Sequence, residues 1–411
     1  MNLNRKIITL ACTLSTISFA QAEIPIDYNQ PPTPSATKSR FAPPFTGGKP
    51  GDLLSHKEIG TGIKGARAWK VRYISKDVNG VLYEVSGMVI APKEKGKNRK
   101  VMTWCHGTTG LGDAASPSAQ PNPAREFLTY FDTPSAQQID CGVPGLQDWI
   151  NDGYVVCATD YQGLGTPGQH QYVVNRTQAR DAVYLVHAAR KMEEISVGTK
   201  FGASGWSQGG GAAAAVAELD EADYGELKLV GTVPMSPGVA SIAYGMPKGL
   251  TAALSDPSIP PDGHLLMVLA GFQIANSDVL KLSDYFAPLG VEIIETSWNI
   301  QPVHHFCDTV ARLFRLKGAI MQSKPTNLDR WQAAITAGSA ATRKPVAPVL
   351  MCMDTFDGGT VVPVPWQEAY AEKVKELGGS IEIKEYPHDD HFSLPNHCAP
   401  AAREWLTGLF K

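Results

Sequence analysis

The chain has 411 residues, with 37 Lys and Arg against 40 Asp and Glu, for a formal charge of -3. Residues 1–22 contain Arg5 and Lys6 and no acid, so without them the balance is 35 against 40, or -5. That balance excludes a polybasic nucleic-acid or anionic-lipid binder, and 43% apolar with 19% charged residues excludes a disordered chain.

The N-terminus reads as an export signal. Arg5 and Lys6 form a positive start, Ile7 to Ala20 an apolar stretch, and Ala20-Gln21-Ala22 a small-residue cleavage site before Glu23. A periplasmic or secreted destination follows. No later stretch reaches the ~18 apolar residues that span a bilayer, so no transmembrane segment is expected. Residues 23–50 contain Pro25, Pro31, Pro32, Pro34, Pro43, Pro44 and Pro50. They read as an extended arm rather than a packed element.

Regular structure is expected from about Leu53. Trp69 to Ser75 and Leu82 to Ile90 are β-rich runs on either side of Asn79-Gly80, a dipeptide suited to a tight hairpin turn. Short apolar strands then alternate with helices. The strands are Val101 to Cys105, Tyr154 to Thr159, Lys200 to Ser204, Leu227 to Val233, Val346 to Met353 and Ile381 to Tyr386. The helices are Ala179 to Met192 with Thr177 as cap, Gln208 to Glu218, Trp366 to Leu377 and Ala399 to Phe410. This alternation predicts an α/β fold, a mostly parallel sheet with helices on both faces. Residues 51–235 and 346–411 would build the core, and 236–345, which break the alternation, a helical cap. Cys105, Cys157 and Cys352 end apolar runs and read as buried thiols. Cys141, Cys307 and Cys398 lie in more polar surroundings and are the candidates for a bridge.

The chemistry centres on Gly205-Trp206-Ser207-Gln208-Gly209, a G-x-S-x-G motif. It directly follows a predicted strand and opens a helix of very small residues. A nucleophile elbow needs that context, because the serine is held on a sharp turn where strand and helix backbones pass closely. A serine nucleophile needs an acid and a histidine, in that chain order. Asp354 and Asp357 follow one late strand, and His388 and His391 follow the last. Asp357 and His391 are the favoured pair, since Asp354 belongs to the strand end and His388 lies closer to its strand. A metal reading of His388, Asp389 and His391 is disfavoured, and no metal or cofactor is expected for catalysis. The backbone amides of Thr108, in the loop His106-Gly107-Thr108, and of Gln208 are the candidates for an oxyanion hole. His106 is expected to order its loop.

At this point the sequence resembles the exported (secretory) lipase family of the α/β-hydrolases. The likeness runs from Pro50-Gly51-Asp52-Leu53-Leu54 and Val85-Ser86-Gly87-Met88-Val89 through His106-Gly107-Thr108 and Asp160-Tyr161-Gln162-Gly163-Leu164-Gly165. It continues through the elbow, Asp357 with Val362-Pro363, and His391. The resemblance implies a serine carboxylester hydrolase without metal or cofactor, acting on small-molecule or lipid esters, with a helical cap between the sixth and seventh strands. Two departures stand out. The aspartate-to-Val-Pro spacing after Asp357 is longer than usual, and Ala114-Ala115 stands where many relatives carry a cysteine. A serine peptidase, an acyltransferase, or an inactive hydrolase-fold binding protein would reuse the same residues. The apolar run Leu265 to Ile274 in the cap must be buried, either in the cap's own core or, in part, over the active site as the roof of an acyl pocket contacted by Leu269 and Phe272.

Overall fold

The computed structural model describes residues 38–120, 123, 142–245, 260–356 and 361–411. The signal segment, most of the proline-rich arm, Cys141 and Asp357 lie outside the described residues. Nine strands form one sheet: β1 Leu53–Ile59, β2 Ala66–Lys76, β3 Leu82–Pro92, β4 Arg99–Cys105, β5 Val155–Thr159, β6 Val197–Trp206, β7 Lys228–Met235, β8 Val349–Asp354 and β9 Ile381–Tyr386. Their spatial order is β1-β2-β3-β5-β4-β6-β7-β8-β9. The first three pair antiparallel, and β3 joins β5 antiparallel. From β5 to β9 every pairing is parallel. β4 to β8 are therefore apolar runs covered on both faces, whereas β1 (Leu-Leu-Ser-His-Lys-Glu-Ile) is an edge strand of largely exposed polar side chains. That polarity hides it from a reading based on hydrophobic pattern.

Helices α1 Asn175–Ala189, α2 Gln208–Val216 and α7 Val364–Glu376 pack on one face of the sheet, and α8 Leu394–Leu409 covers the other. Between β7 and β8 lie α3 Gly263–Ala275, α4 Pro288–Ser297, α5 Val303–Lys317 and α6 Leu328–Gly338, with an apolar core of their own around Leu266, Phe272, Tyr285, Trp298 and Trp331. β1 moves this insertion one place along the strand count.

Several expectations need correction. Helix α1 starts at Asn175, four residues early, and Thr177 lies inside it. The Thr177 hydroxyl donates to Gln171 Oε1 and accepts from the Val78 amide, so tertiary partners occupy the group expected to cap. The described end of the arm is mostly exposed but anchored at one residue. Arg40 is buried and donates to Gln169 and Gln273, which gives its charge hydrogen-bond partners that a free linker would lack. Cys352 is not a free thiol but bridges Cys398. Its strand runs beneath α8, so the partner of an apolar-run cysteine lies on a helix 46 residues away. The bridge closes the segment that carries both the acid loop and the histidine loop. Cys105 and Cys157 are buried free thiols, as expected.

Candidate active site

The elbow forms where β6 hands over to α2. Ser207 has φ 58° and ψ -121°, a conformation that L-residues avoid and that the surrounding backbone must hold in place. Three hydrogen bonds hold it. The Ser207 amide donates to Met235 O (3.0 Å), and the Gly238 and Gly211 amides donate to Ser207 O (2.8 and 3.1 Å). The small residues are obligatory here. A Cβ at Gly205 would lie 2.2 Å from Gly209 O, and one at Gly209 would lie 2.0 Å from Cys105 O. Strand and helix backbones are already in contact, so the motif's glycines set how closely α2 approaches the sheet.

The oxyanion candidates flank this point. Gln208 is the first residue of α2, and its side chain is fixed by a 2.7 Å hydrogen bond to His170 Nε2. His170 Nδ1 faces the Gln162 carbonyl at 2.9 Å and so must carry the proton, which leaves Nε2 to accept from Gln208. Burial lowers the His170 pKa to about 3, keeping the ring neutral and able to accept. On the other side, a Cβ at Gly107 would meet the Trp206 ring at 2.4 Å, so the loop after β4 lies directly on the residue preceding Ser207. Thr108 follows, with its hydroxyl 2.7 Å from Tyr172 Oη. His106 is buried, its nitrogens facing the Gly107 and Asp160 carbonyls. Desolvation lowers its pKa to about 4. Asp160 is buried and accepts from Ser86, Ser116 and Ser118, a hydrogen-bond role that ties β3 to the loop after β4.

The histidine loop reaches the same end of the sheet. His391 is buried, its ring centroid is 4.8 Å from that of Trp206, and its carbonyl accepts from Trp206 Nε1 at 2.8 Å. Its Nδ1 lies 3.0 Å from Ser236 Oγ and 3.9 Å from Asp354 Oδ2. With the proton on Nδ1 directed at Ser236, Nε2 is left as the basic nitrogen. Burial, reinforced by His264 and opposed by Asp390, lowers the His391 pKa to about 3. Asp354 is fully buried at the end of β8, and desolvation raises its pKa, while Ser236 and Gln367 pull it back. His388 is exposed, and Asp389 instead pairs with His397 and Ser393. His388, Asp389 and His391 therefore form no ligand cluster. Ser236 was missed by the sequence reading. Its sequence signal is weak, a serine directly after β7, and its φ of 43° is visible only in the structure.

An open cleft of about 170 Å³ runs from Ser207 and Gln208 past Tyr172, Val239, Leu265, Val268 and Trp366. Helix α3 thus contributes to the cleft through Leu265 and Val268. Leu269 and Phe272, expected to roof it, are wholly buried in the core of the insertion. Phe272 packs so closely on Gly338 that a Cβ there would meet its ring at 2.7 Å. A helix apolar on every side offers no sequence clue to which face meets the cleft.

Residues 135–243, which span the elbow and the loops before it, match the family model described as secretory lipase. The fold is that of the α/β-hydrolases, shared with the rice cell wall degrading esterase LipA from Xanthomonas oryzae (TM-score 0.67, 18% identity, 88% of this chain and 99% of that one). Lipase A from Candida antarctica in its closed state has TM-score 0.66 at 15% identity, over 88% of this chain and 82% of that one. A putative hydrolase from Legionella pneumophila has TM-score 0.65 at 18% identity, over 87% and 98%. No curated protein matches by sequence. The lipase family match supports a carboxylic ester hydrolase, as the sequence reading expected. Among the described residues, no helix is long and apolar enough to cross a membrane.

Proposed function

We propose that the protein is an exported serine hydrolase of carboxylic esters, working through an acyl-enzyme on Ser207. The observation that carries this reading is a serine held in a strained elbow and opening onto a mainly apolar cleft. His391 Nε2 takes the Ser207 proton as Oγ attacks the ester carbonyl. The Thr108 and Gln208 amides receive the developing oxyanion, and the imidazolium then protonates the leaving alcohol. Water, deprotonated by His391, releases the acid and restores Ser207. Asp357 is the acid that orients His391, by its place after β8 and the resemblance of its loop. A second reading assigns that role to Asp354, because its buried carboxylate lies 3.9 Å from His391 Nδ1 with Ser236 beside both. The acyl chain lies along Val239, Ala240, Leu265 and Val268, which favours medium-chain over acetyl esters. Residues 236–345 act as the cap over this cleft, and residues 1–22 direct export, in keeping with a family described as secretory.

The test is a fluorophosphonate probe on the full chain. Stoichiometric labelling at Ser207, with loss of both label and p-nitrophenyl butyrate turnover in Ser207→Ala, is the expected result. An unlabelled wild type would make the chain an inactive hydrolase fold. A folded Ser207→Ala variant keeping more than a few per cent of turnover would place the nucleophile elsewhere.

A further inference from the structure

The insertion holds a cluster to which the proposed ester hydrolysis assigns no catalytic role. Asp262 precedes α3, His264 lies in its first turn, and Cys307 lies near the start of α5. His264 Nδ1 is 3.0 Å from Asp262 Oδ1 and 3.9 Å from Cys307 Sγ. Among the described residues, these three alone gather His, Cys and carboxylate ligand atoms, all within 4.8 Å of one another. Zinc bonded to imidazole, carboxylate and thiolate at about 2.0–2.3 Å in tetrahedral geometry needs ligand atoms roughly 3.3–3.6 Å apart. The observed separations bracket that requirement.

Helix capping accounts for part of this arrangement, since Asp262 Oδ1 also accepts from the His264 amide at 3.0 Å. Capping does not account for the cysteine. Gly263 stands between Asp262 and His264, and a Cβ there would lie 2.6 Å from Cys307 Sγ and 2.9 Å from its Cα. Only glycine lets the start of α3 approach α5 closely enough to bring the sulfur to the imidazole. Cys307 is also the free thiol among the described residues that is not buried. The His264 and Asp262 side chains are 31% and 61% exposed, so an ion has a route in.

We propose that Asp262, His264 and Cys307 form a zinc site that ties α3 to α5. The donor set selects the ion. Thiolate and imidazole favour zinc over magnesium or calcium, which prefer all-oxygen ligands. Coordination requires the thiolate, so binding releases the Cys307 proton to solvent, and the fourth ligand comes from solvent. Because Asp262 and His264 also line the cleft with Ser207, the ion stiffens one cleft wall. This inference stands apart from the esterase reading, and Ser207→Ala should keep the site intact.

The full chain, treated with chelator, is titrated with Co²⁺ as a spectroscopic stand-in and with Zn²⁺ in competition. The expected result is one ion per chain, with a thiolate-to-cobalt charge-transfer band that Cys307→Ser abolishes. His264→Ala should weaken binding by at least 10-fold. A measurement without variants keeps the test independent of folding. Zinc should slow iodoacetamide alkylation of Cys307, followed by peptide mass spectrometry, at least 10-fold. Absence of binding, a cobalt complex lacking the thiolate band, or alkylation unaffected by saturating zinc would each overturn the proposal.

Discussion

Replacing Gly209 with alanine tests the elbow at the atom that defines it. The new Cβ would sit 2.0 Å from Cys105 O, 2.4 Å from Cys105 C and 2.4 Å from His106 O, all backbone atoms that no rotamer change can move. The closest of these falls about 1.4 Å short of an ordinary 3.4 Å contact. Helix α2 must therefore lift from the end of β4 by an ångström or more. Overpacking of this kind costs about 1–3 kcal/mol, and a backbone clash falls at the upper end. The displacement would also separate the two proposed oxyanion donors, since Gln208 moves with α2 while Thr108 stays with the β4 loop. A misplacement of about 1 Å at reacting groups costs on the order of 10²-fold in rate. The expected outcome for Gly209→Ala is a lower urea midpoint together with about a 10²-fold loss in kcat/KM. Gly408→Ala is the control, at an exposed position of α8 where a Cβ meets nothing within 4 Å. It should be neutral or stabilise by up to about 1 kcal/mol. A Gly209→Ala enzyme within twofold of wild type in kcat/KM at an unchanged midpoint would show that the close approach of helix and strand is not what holds the site.

The acid is decided by Asp357→Asn against Asp354→Asn. A loss of about 10⁴ in kcat should appear in the first, and mainly reduced stability in the second, and the reverse ranking would select Asp354. His391→Ala should match Ser207→Ala in damage, whereas exposed His388→Ala should remain within a few fold of wild type; matched kinetics on one ester decide it. Leu265→Ala and Val268→Ala should flatten the rise of kcat/KM with acyl length, while Leu269→Ala should lower stability by about 2–5 kcal/mol and spare the length preference. Equal losses on C2 and C8 esters in the Leu265 and Val268 variants would remove those residues from the acyl site. The base works only when neutral, and burial lowers the His391 pKa from 6.5 to about 3. The acid limb of kcat/KM on a neutral ester should therefore lie well below pH 6.5, and a limb at or above 6.5 would contradict the buried, neutral imidazole.

Local pattern was enough to read the alternating strands and helices, the hairpin around Asn79-Gly80 and the elbow. Each depends on short-range chemistry: apolar runs long enough for a covered strand, a dipeptide suited to a turn, and glycines where backbones meet. The edge strand β1 escaped because an exposed strand carries no apolar pattern, and the start of α1 because its cap position has no capping side chain. Ser207 and His391 could be named as candidates from spacing and chain order. Ser236 and the depth of Asp354 could not, because they follow from how β7, β8 and the histidine loop lie side by side. The same holds for the Cys352–Cys398 bridge, the Gln208–His170 contact and the meeting of Cys307 with His264, each between residues far apart in the chain. In α3 the sequence determined that an all-round apolar helix would be buried. Only packing against α6 and the cleft decided that Phe272 serves the core while Leu265 and Val268 line the cleft, because periodicity marks a face only when the opposite one is polar.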